Sequence, residues 1–167
     1  LDHPTMSTRR EAREWAVQML FQLDLNPDAE TPQEEVFREF WEGQLRLRDG
    51  AEPESAPPAP IRKFTEALVA GVLKNRKAID AHISSCVKNW DIQRIGGIER
   101  NVLRMGIYEL AFAEEKTPQA VVINESVDIC KFFGTRESGR FVNGILDSIT
   151  KNLAREAAKP QEWSPGT

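Results

Sequence analysis

The chain has 167 residues, of which 40% are hydrophobic and 29% are charged, with 22 Lys plus Arg against 26 Asp plus Glu. This length suits one domain, and the composition is that of a globular protein rather than a disordered one. No apolar run approaches the roughly 18 residues needed to span a membrane, so no membrane association is expected. The two cysteines have no further Cys or His at ligand spacing, which suggests neither a zinc site nor a disulfide framework and favours a cytoplasmic location.

The net charge of −4 conceals a segregation along the chain. Residues 28–54 hold nine acids and three bases, whereas residues 61–104 hold nine bases and four acids and residues 131–155 hold five bases and two acids. Local fields decide partner choice more than the total charge does. The acidic and basic stretches can therefore face different partners, and a nucleic acid is not excluded.

The first half of the chain predicts helices around one irregular segment. Thr8 and Glu11 have the spacing of a capping box, and the apolar periodicity after them predicts an amphipathic helix that ends before Asn26. Thr31-Pro32 repeats the start signal for a second helix. The proline-rich stretch from Asp49 to Pro60 predicts a surface loop that is not helical.

The second half continues the helical pattern. Residues 61 to about 90 predict one bent helix or two short ones, and Gly96-Gly97 interrupts them. Further helices are predicted from Ile98 to about Glu114, from Thr117 to a left-handed cap at Gly134, and from about Glu137 to Ala154. The predicted fold is all-α, a compact bundle of six to seven helices.

Catalytic chemistry has little support in the sequence. His3 lies in the leader before Met6, and His82 stands alone in a helical pattern, so no acid–base pair, nucleophile or phosphate-binding loop can be assembled. Glu125 and Asp128 share one helix face, as surface charges often do. We expect no catalytic residue, no metal and no cofactor.

The first helix carries a more informative pattern. Arg9, Arg10 and Arg13 gather along one flank, apart from the acidic residues of the helix, and Val17 and Phe21 follow on that flank outside the main apolar stripe. Guanidinium groups that bind phosphate could thus lie beside an exposed surface that docks a protein. The alternative is that the arginines form surface ion pairs and that Phe21 packs under a neighbour.

Five separated segments of the sequence, taken in their order along the chain, indicate a family. In chain order they are Arg9-Arg10-Glu11-Ala12-Arg13-Glu14, Arg104–Leu110, Val122–Glu125, Lys131–Gly134 and Arg140–Asp147. Together they resemble the NusB family of transcription antitermination factors, and the resemblance extends from about Thr8 to Leu153.

This resemblance implies an RNA-binding function. Family members pair with NusE, a small-subunit ribosomal protein, and bind the single-stranded boxA element of nascent ribosomal RNA so that the RNA polymerase complex is not stopped by Rho. The resemblance also implies one domain over residues 6–155, with three-helix subdomains at about 6–90 and 91–155. Independently of the resemblance, Met6 can be an initiator, so residues 1–5 are expected to be a cloning remnant or the interior of a longer chain. Residues 156–167, rich in Pro and Gly near their end, are expected to be a disordered tail.

The resemblance assigns RNA contacts to five residues, which are Arg9, Arg10, Arg13, Arg140 and Phe141. Glu11 departs from the family pattern, because a third consecutive arginine is common there. Phe141 matches an aromatic residue that stacks on RNA, and Arg140 is its basic neighbour. From the residues alone, core packing of Phe141 is the favoured interpretation, since Ile145 and Ile149 follow it at helical spacing.

The partner-facing positions implied by the resemblance are Phe21, Glu99 and Arg104. An exposed face of Val17 and Phe21 could also be buried in a homodimer when the partner is absent. Two other classes stay open from sequence. The chain could be a NusB-like module of an RNA cytosine methyltransferase, or a helical adaptor that binds only protein.

Overall fold

The structure, a computed structural model, describes residues 6–27, 30–47, 57–87 and 91–160. Over these residues the chain forms seven α-helices and no strand, which confirms the predicted all-α bundle. A short 3-10 helix (Ile92–Arg94) precedes the fifth α-helix, and a π-helical turn (Tyr108–Phe112) follows it. The helices are α1 (Met6–Asp24), α2 (Gln33–Leu47), α3 (Ala59–Lys74), α4 (Arg76–Cys86), α5 (Gly97–Ile107), α6 (Gln119–Phe133) and α7 (Arg136–Ala158).

Local sequence explains most helix starts, with two corrections. Pro58 and Pro118 precede α3 and α6, where a missing N–H costs nothing, and Thr135 forms a reciprocal capping box with Ser138 at the start of α7. The predicted capping box at Thr8 is wrong, because α1 begins at Met6 and Thr8 lies within its first turn. The prediction that the stretch from Asp49 to Pro60 is not helical is wrong at its end, since α3 begins at Ala59.

Helix ends differ from expectation in two further places. Gly134 closes α6 as predicted and its N–H donates to the carbonyl of Cys130, but its φ of −126° is not left-handed. Helix α7 continues to Ala158, so residues 156–158 are helical rather than part of a disordered tail. Residues 1–5, 48–56 and 161–167, on which other terminal and loop predictions fall, lie outside the described residues.

The hydrophobic core is one continuous cluster that joins the two halves of the chain. Helix α1 lies against α3 and α5, and α6 packs along α7. The rings of Trp15, Phe40 and Trp41 meet edge to face, with centroids 5.1 to 6.1 Å apart, and attach α2 to α1. The subdomain boundary near residue 90 stays a prediction, because the core cluster crosses it.

Candidate functional site

Arg10 is tied to α6 by two carboxylates. Its Nε donates to Glu125, and its Nη2 lies 3.1 Å from Oδ2 of Asp128. The hydrogen bond to Glu125 is the main reason that the pKa of Arg10 lies above its ordinary value, although partial burial opposes this. The side chain of Arg10 keeps 33% of its surface exposed, so its guanidinium can still be reached from solvent.

Arg13 is buried, in contrast to the expectation that it contacts RNA. Its guanidinium forms a two-pronged ion pair with Glu109, with Nη2 2.7 Å from Oε1 and Nε 3.0 Å from Oε2. Glu109 lies in the π-helical turn, where Ala113 N–H donates to the carbonyl of Tyr108 in place of an ordinary α-helical bond. Arg13 therefore fastens α1 to this turn and presents no free cation.

Arg9 occupies a different environment from the other two arginines. Its guanidinium carbon lies 5.8 Å from the ring centroid of Phe64, as does that of Arg13. Its Nε is buried and has no hydrogen-bond acceptor among the described residues. Arg9 also borders an open cleft of about 340 Å³ that Phe64, Tyr108 and Lys74 help to line. Arg9 is thus oriented by stacking on an aromatic ring and is not neutralised by a described carboxylate.

A second set of predicted RNA contacts lies near the start of α7. Arg140 is exposed, and Phe141 is partly buried and packs against the core. The ring thus contacts the core with part of its surface, and its stacking on RNA stays a prediction. The predicted RNA contacts thus lie on α1 and on α7, on either side of α6.

Phe21 and Glu99 are brought together at the start of α5. The ring of Phe21 lies so close to Gly97 that an added Cβ there would stand 2.7 Å from Phe21 Cε2. Glu99 folds back over Gly96, and one of its carboxylate oxygens accepts a hydrogen bond from Ser138 of α7. Both side chains are partly buried. The Gly-Gly pair thus allows α1, α5 and α7 to approach closely beside these two predicted partner contacts.

Two other predicted partner contacts are not on the surface. Val17, expected on an exposed face, is fully buried in the core. Arg104 is also buried, and it pairs with Asp24 and Asp80 at 3.1 and 2.8 Å. Arg104 lies in an unbroken run of buried residues on α5, where an unpaired charge would be expensive. Its role in the structure is to join α1 to α4 and α5.

Asp24 is the centre of this buried network, which sequence reasoning missed. Arg76, Arg100 and Arg104 all pair with its carboxylate, whose side chain is only 5% exposed. Burial raises the pKa of Asp24, but hydrogen bonds and charges from Arg100 and Arg104 outweigh it, and the net pKa lies below its ordinary value. A charged residue within an apolar helical stretch, such as Arg104, is the only sequence signal of this network.

The fold and the placement of these charged side chains indicate a class of protein. The chain is a small all-α bundle with partly or fully exposed basic residues on α1 and α7, which is the kind of basic surface that an RNA-binding factor uses, and with other arginines locked inside. None of the helices in the described part of the chain has the length and apolar character needed to cross a membrane.

Comparison with known proteins identifies the family. The NusB family model matches residues 10–151. The transcription antitermination protein NusB of Pelotomaculum thermopropionicum is 38% identical over 158 residues, covering 95% of this chain and 94% of the relative. NusB of Bdellovibrio bacteriovorus is 36% identical over 146 residues, covering 87% of this chain and 97% of the relative. The chain therefore belongs to the NusB family of transcription antitermination proteins.

A solved structure adds a complex to this comparison. The crystal structure of the antitermination factors NusB and NusE in complex with double-stranded RNA contains a chain that aligns with a TM-score of 0.68. The sequence identity is 28%, and the alignment covers 89% of this chain and 99% of that one. In that structure NusB and NusE form a complex with double-stranded RNA.

Proposed function

We propose that this protein is an antitermination factor that binds the boxA element of nascent ribosomal RNA together with NusE, and so supports read-through by RNA polymerase. The observation that carries the proposal is the pair of partly exposed arginines on α1, Arg9 and Arg10, in a chain of the NusB family. The solved relative that binds NusE and RNA supports both partners. Its RNA is double-stranded, so the choice of single-stranded boxA rests on the family resemblance.

Within this proposal, Arg9, Arg10, Arg140 and Phe141 contact RNA. Arg13 positions α1 and does not touch the ligand, because its charge is already satisfied inside the protein. Arg10 exchanges its bonds to Glu125 and Asp128 for bonds to phosphate. Glu11 is exposed on the same helix and repels phosphate, which reduces the number of favourable ionic contacts at this end of the protein.

The partner surface is proposed at Phe21 and Glu99, beside the close approach at Gly96-Gly97. NusE covers this surface in the active complex. In its absence a second copy of the chain could occupy the same surface. The module of a methyltransferase and the protein-only adaptor have no specific observation in their favour, since the relatives compared above are named antitermination proteins.

The salt dependence of RNA binding tests the arginines. Replacing Arg9 or Arg10 with Ala should weaken RNA binding and flatten the log–log salt slope by about 0.7 for each phosphate that the variant no longer neutralises. Arg38→Ala is the matched control, because Arg38 is an exposed arginine on α2 that pairs only weakly with Glu35 at 3.7 Å. The measurement is titration of a boxA-like RNA over a series of salt concentrations. An Arg9→Ala, Arg10→Ala double variant with the parental slope would remove α1 from the RNA site.

Titration of the same RNA with and without NusE tests the function itself. The complex should bind RNA more tightly than the free protein, because each component supplies part of the RNA-binding surface. Linkage then requires RNA to strengthen the NusE contact by the same factor. Phe21→Ala should weaken NusE binding while RNA affinity of the free protein is retained. Equal RNA affinity with and without saturating NusE would contradict the coupling.

A further inference from the structure

Phe132 is far more exposed to solvent than the neighbouring Phe133. Its side chain has 72% of its surface accessible at the end of α6, whereas Phe133 next to it packs against the core. The two rings meet edge to face with centroids 5.0 Å apart, so Phe132 is supported from one side and open on the other. Only Leu25 has comparable exposure among the large hydrophobic residues that the structure describes.

The position of Phe132 on α6 connects it to Arg10. Glu125, Asp128 and Phe132 follow one another at i, i+3 and i+7, and therefore share one helix face. Glu125 and Asp128 are the residues that hold Arg10. Phe132 lies one helical turn beyond Asp128, about 6 Å along the helix axis. The open ring thus continues the surface on which the Arg10 guanidinium lies.

Basic side chains surround the turn that follows Phe132. The stem of Lys131 crosses onto α7 at Gly139, where an added Cβ would stand 2.8 Å from Lys131 Cγ. Arg136 and Arg140 flank Gly139 on α7, and all three basic residues are exposed. The ion pairs seen in the described part of the chain involve none of them. Residues 131–140 thus carry three basic side chains against one acidic one, Glu137, and the three cations are free of close ion pairs among the described residues.

We propose that Phe132 is a second aromatic platform for single-stranded RNA, on which an unpaired base stacks between the contacts made by Arg10 and those made by Arg140 and Phe141. An exposed ring beside exposed, mostly basic side chains suits a ligand that offers flat bases on an anionic backbone. A purely apolar protein partner would leave these cations unpaired. The inference rests on the proposed RNA-binding function and adds a residue to that site.

The test compares Phe132→Ala with the control Leu25→Ala, which removes an equally exposed side chain. Leu25 follows the end of α1, about 20 Å along the helix axis from Arg10, and so lies away from the proposed site. The probe is a labelled single-stranded boxA-like RNA. Phe132→Ala should weaken binding roughly fivefold or more, while Phe132→Tyr and Leu25→Ala should stay within about twofold of the parent. All three variants should unfold at the parental temperature, because neither side chain is buried.

Abasic RNAs separate stacking from a general loss of affinity. Each base of the RNA is removed in turn. At one position the missing base should weaken binding to the parent protein, but it should scarcely weaken binding to Phe132→Ala, since the ring on which that base would stack is already absent. Parental affinity of Phe132→Ala, or equal abasic penalties in both proteins at every position, would overturn the proposal. Unchanged RNA affinity with weakened NusE binding or self-association would assign Phe132 to a protein interface instead.

The failure of this inference can be distinguished from failure of the proposed function. If the parent protein binds the RNA and Phe132→Ala binds it equally well, only the role of Phe132 is wrong. If the parent does not bind the RNA, with or without NusE, the proposed function is wrong and the platform is wrong with it.

Discussion

Replacing Glu109 with Ala is expected to destabilise the protein by about 3–5 kcal/mol, because it leaves the buried guanidinium of Arg13 without its counter-charge. For a chain of this size the loss corresponds to a fall in the unfolding temperature of roughly 6–20 °C. Urea or thermal unfolding measures it. Glu114→Ala is the control, because Glu114 is exposed just beyond the π-helical turn and its removal should change stability by no more than about 0.5 kcal/mol.

A double variant shows what the Arg13–Glu109 pair does for RNA binding. Arg13→Met with Glu109→Leu should recover most of the stability that Glu109→Ala removes, because apolar side chains of similar size replace a buried pair without leaving a charge. Its RNA salt slope should equal that of the parent, since Arg13 has no free cation to offer. A slope flatter by about 0.7 would restore Arg13 to the RNA contacts. A Glu109→Ala variant as stable as the parent would contradict the structural role of the pair.

Asp24→Asn is the second substitution with a large expected effect, again about 3–5 kcal/mol at pH 7. Arg76, Arg100 and Arg104 converge on this one carboxylate, so its loss leaves three neighbouring cations with Asp80 as their sole ion-pair partner among the described residues. Asp147→Asn is the matched control, because Asp147 is 54% exposed and pairs with Lys151 on the surface of α7. Its effect should be below about 1 kcal/mol.

The pH dependence of the Asp24→Asn effect follows from the lowered pKa of Asp24. A carboxylate with a depressed folded-state pKa contributes its stability above the unfolded-state pKa, near 4, and loses it as the pH falls toward the folded-state value. The free-energy difference between parent and variant should therefore be constant near neutral pH and shrink by about 1.4 kcal/mol per pH unit below roughly pH 4. Urea titrations from pH 7 to pH 3 measure this difference. A difference that stays constant or grows on acidification would contradict the role assigned to Asp24.

The two buried networks matter for function because they hold the surfaces on which binding is proposed. The Arg13–Glu109 pair fastens the N-terminal half of α1, which carries Arg9 and Arg10. The Asp24 network fastens its C-terminal end to α4 and α5, close to Phe21. RNA and partner binding are thus separated along one helix that is fixed at both ends.

The amino-acid sequence by itself determined the helical class, most helix positions and the family. These depend on local signals: apolar spacing of three and four residues, prolines before α3 and α6, and glycines at 96, 97 and 134. The family motifs are likewise short segments that can be read without knowing which helices touch. Even here local signals were insufficient at the π-helical turn, where the buried Glu109 pairs with Arg13 of α1 across 96 positions of the chain.

Only the tertiary structure decided which charged and apolar side chains are available for binding. Arg9, Arg10 and Arg13 have the same chemistry and lie within one helical turn and a half, yet one stacks on Phe64, one pairs at the surface of α6 and one is buried. Their partners lie up to 118 positions away in the chain. Val17 and Phe132 show the same limit for apolar residues, the first covered by the core and the second left open. Helical periodicity states the direction in which a side chain projects from its own helix, but burial and charge neutralisation depend on which other helices pack there.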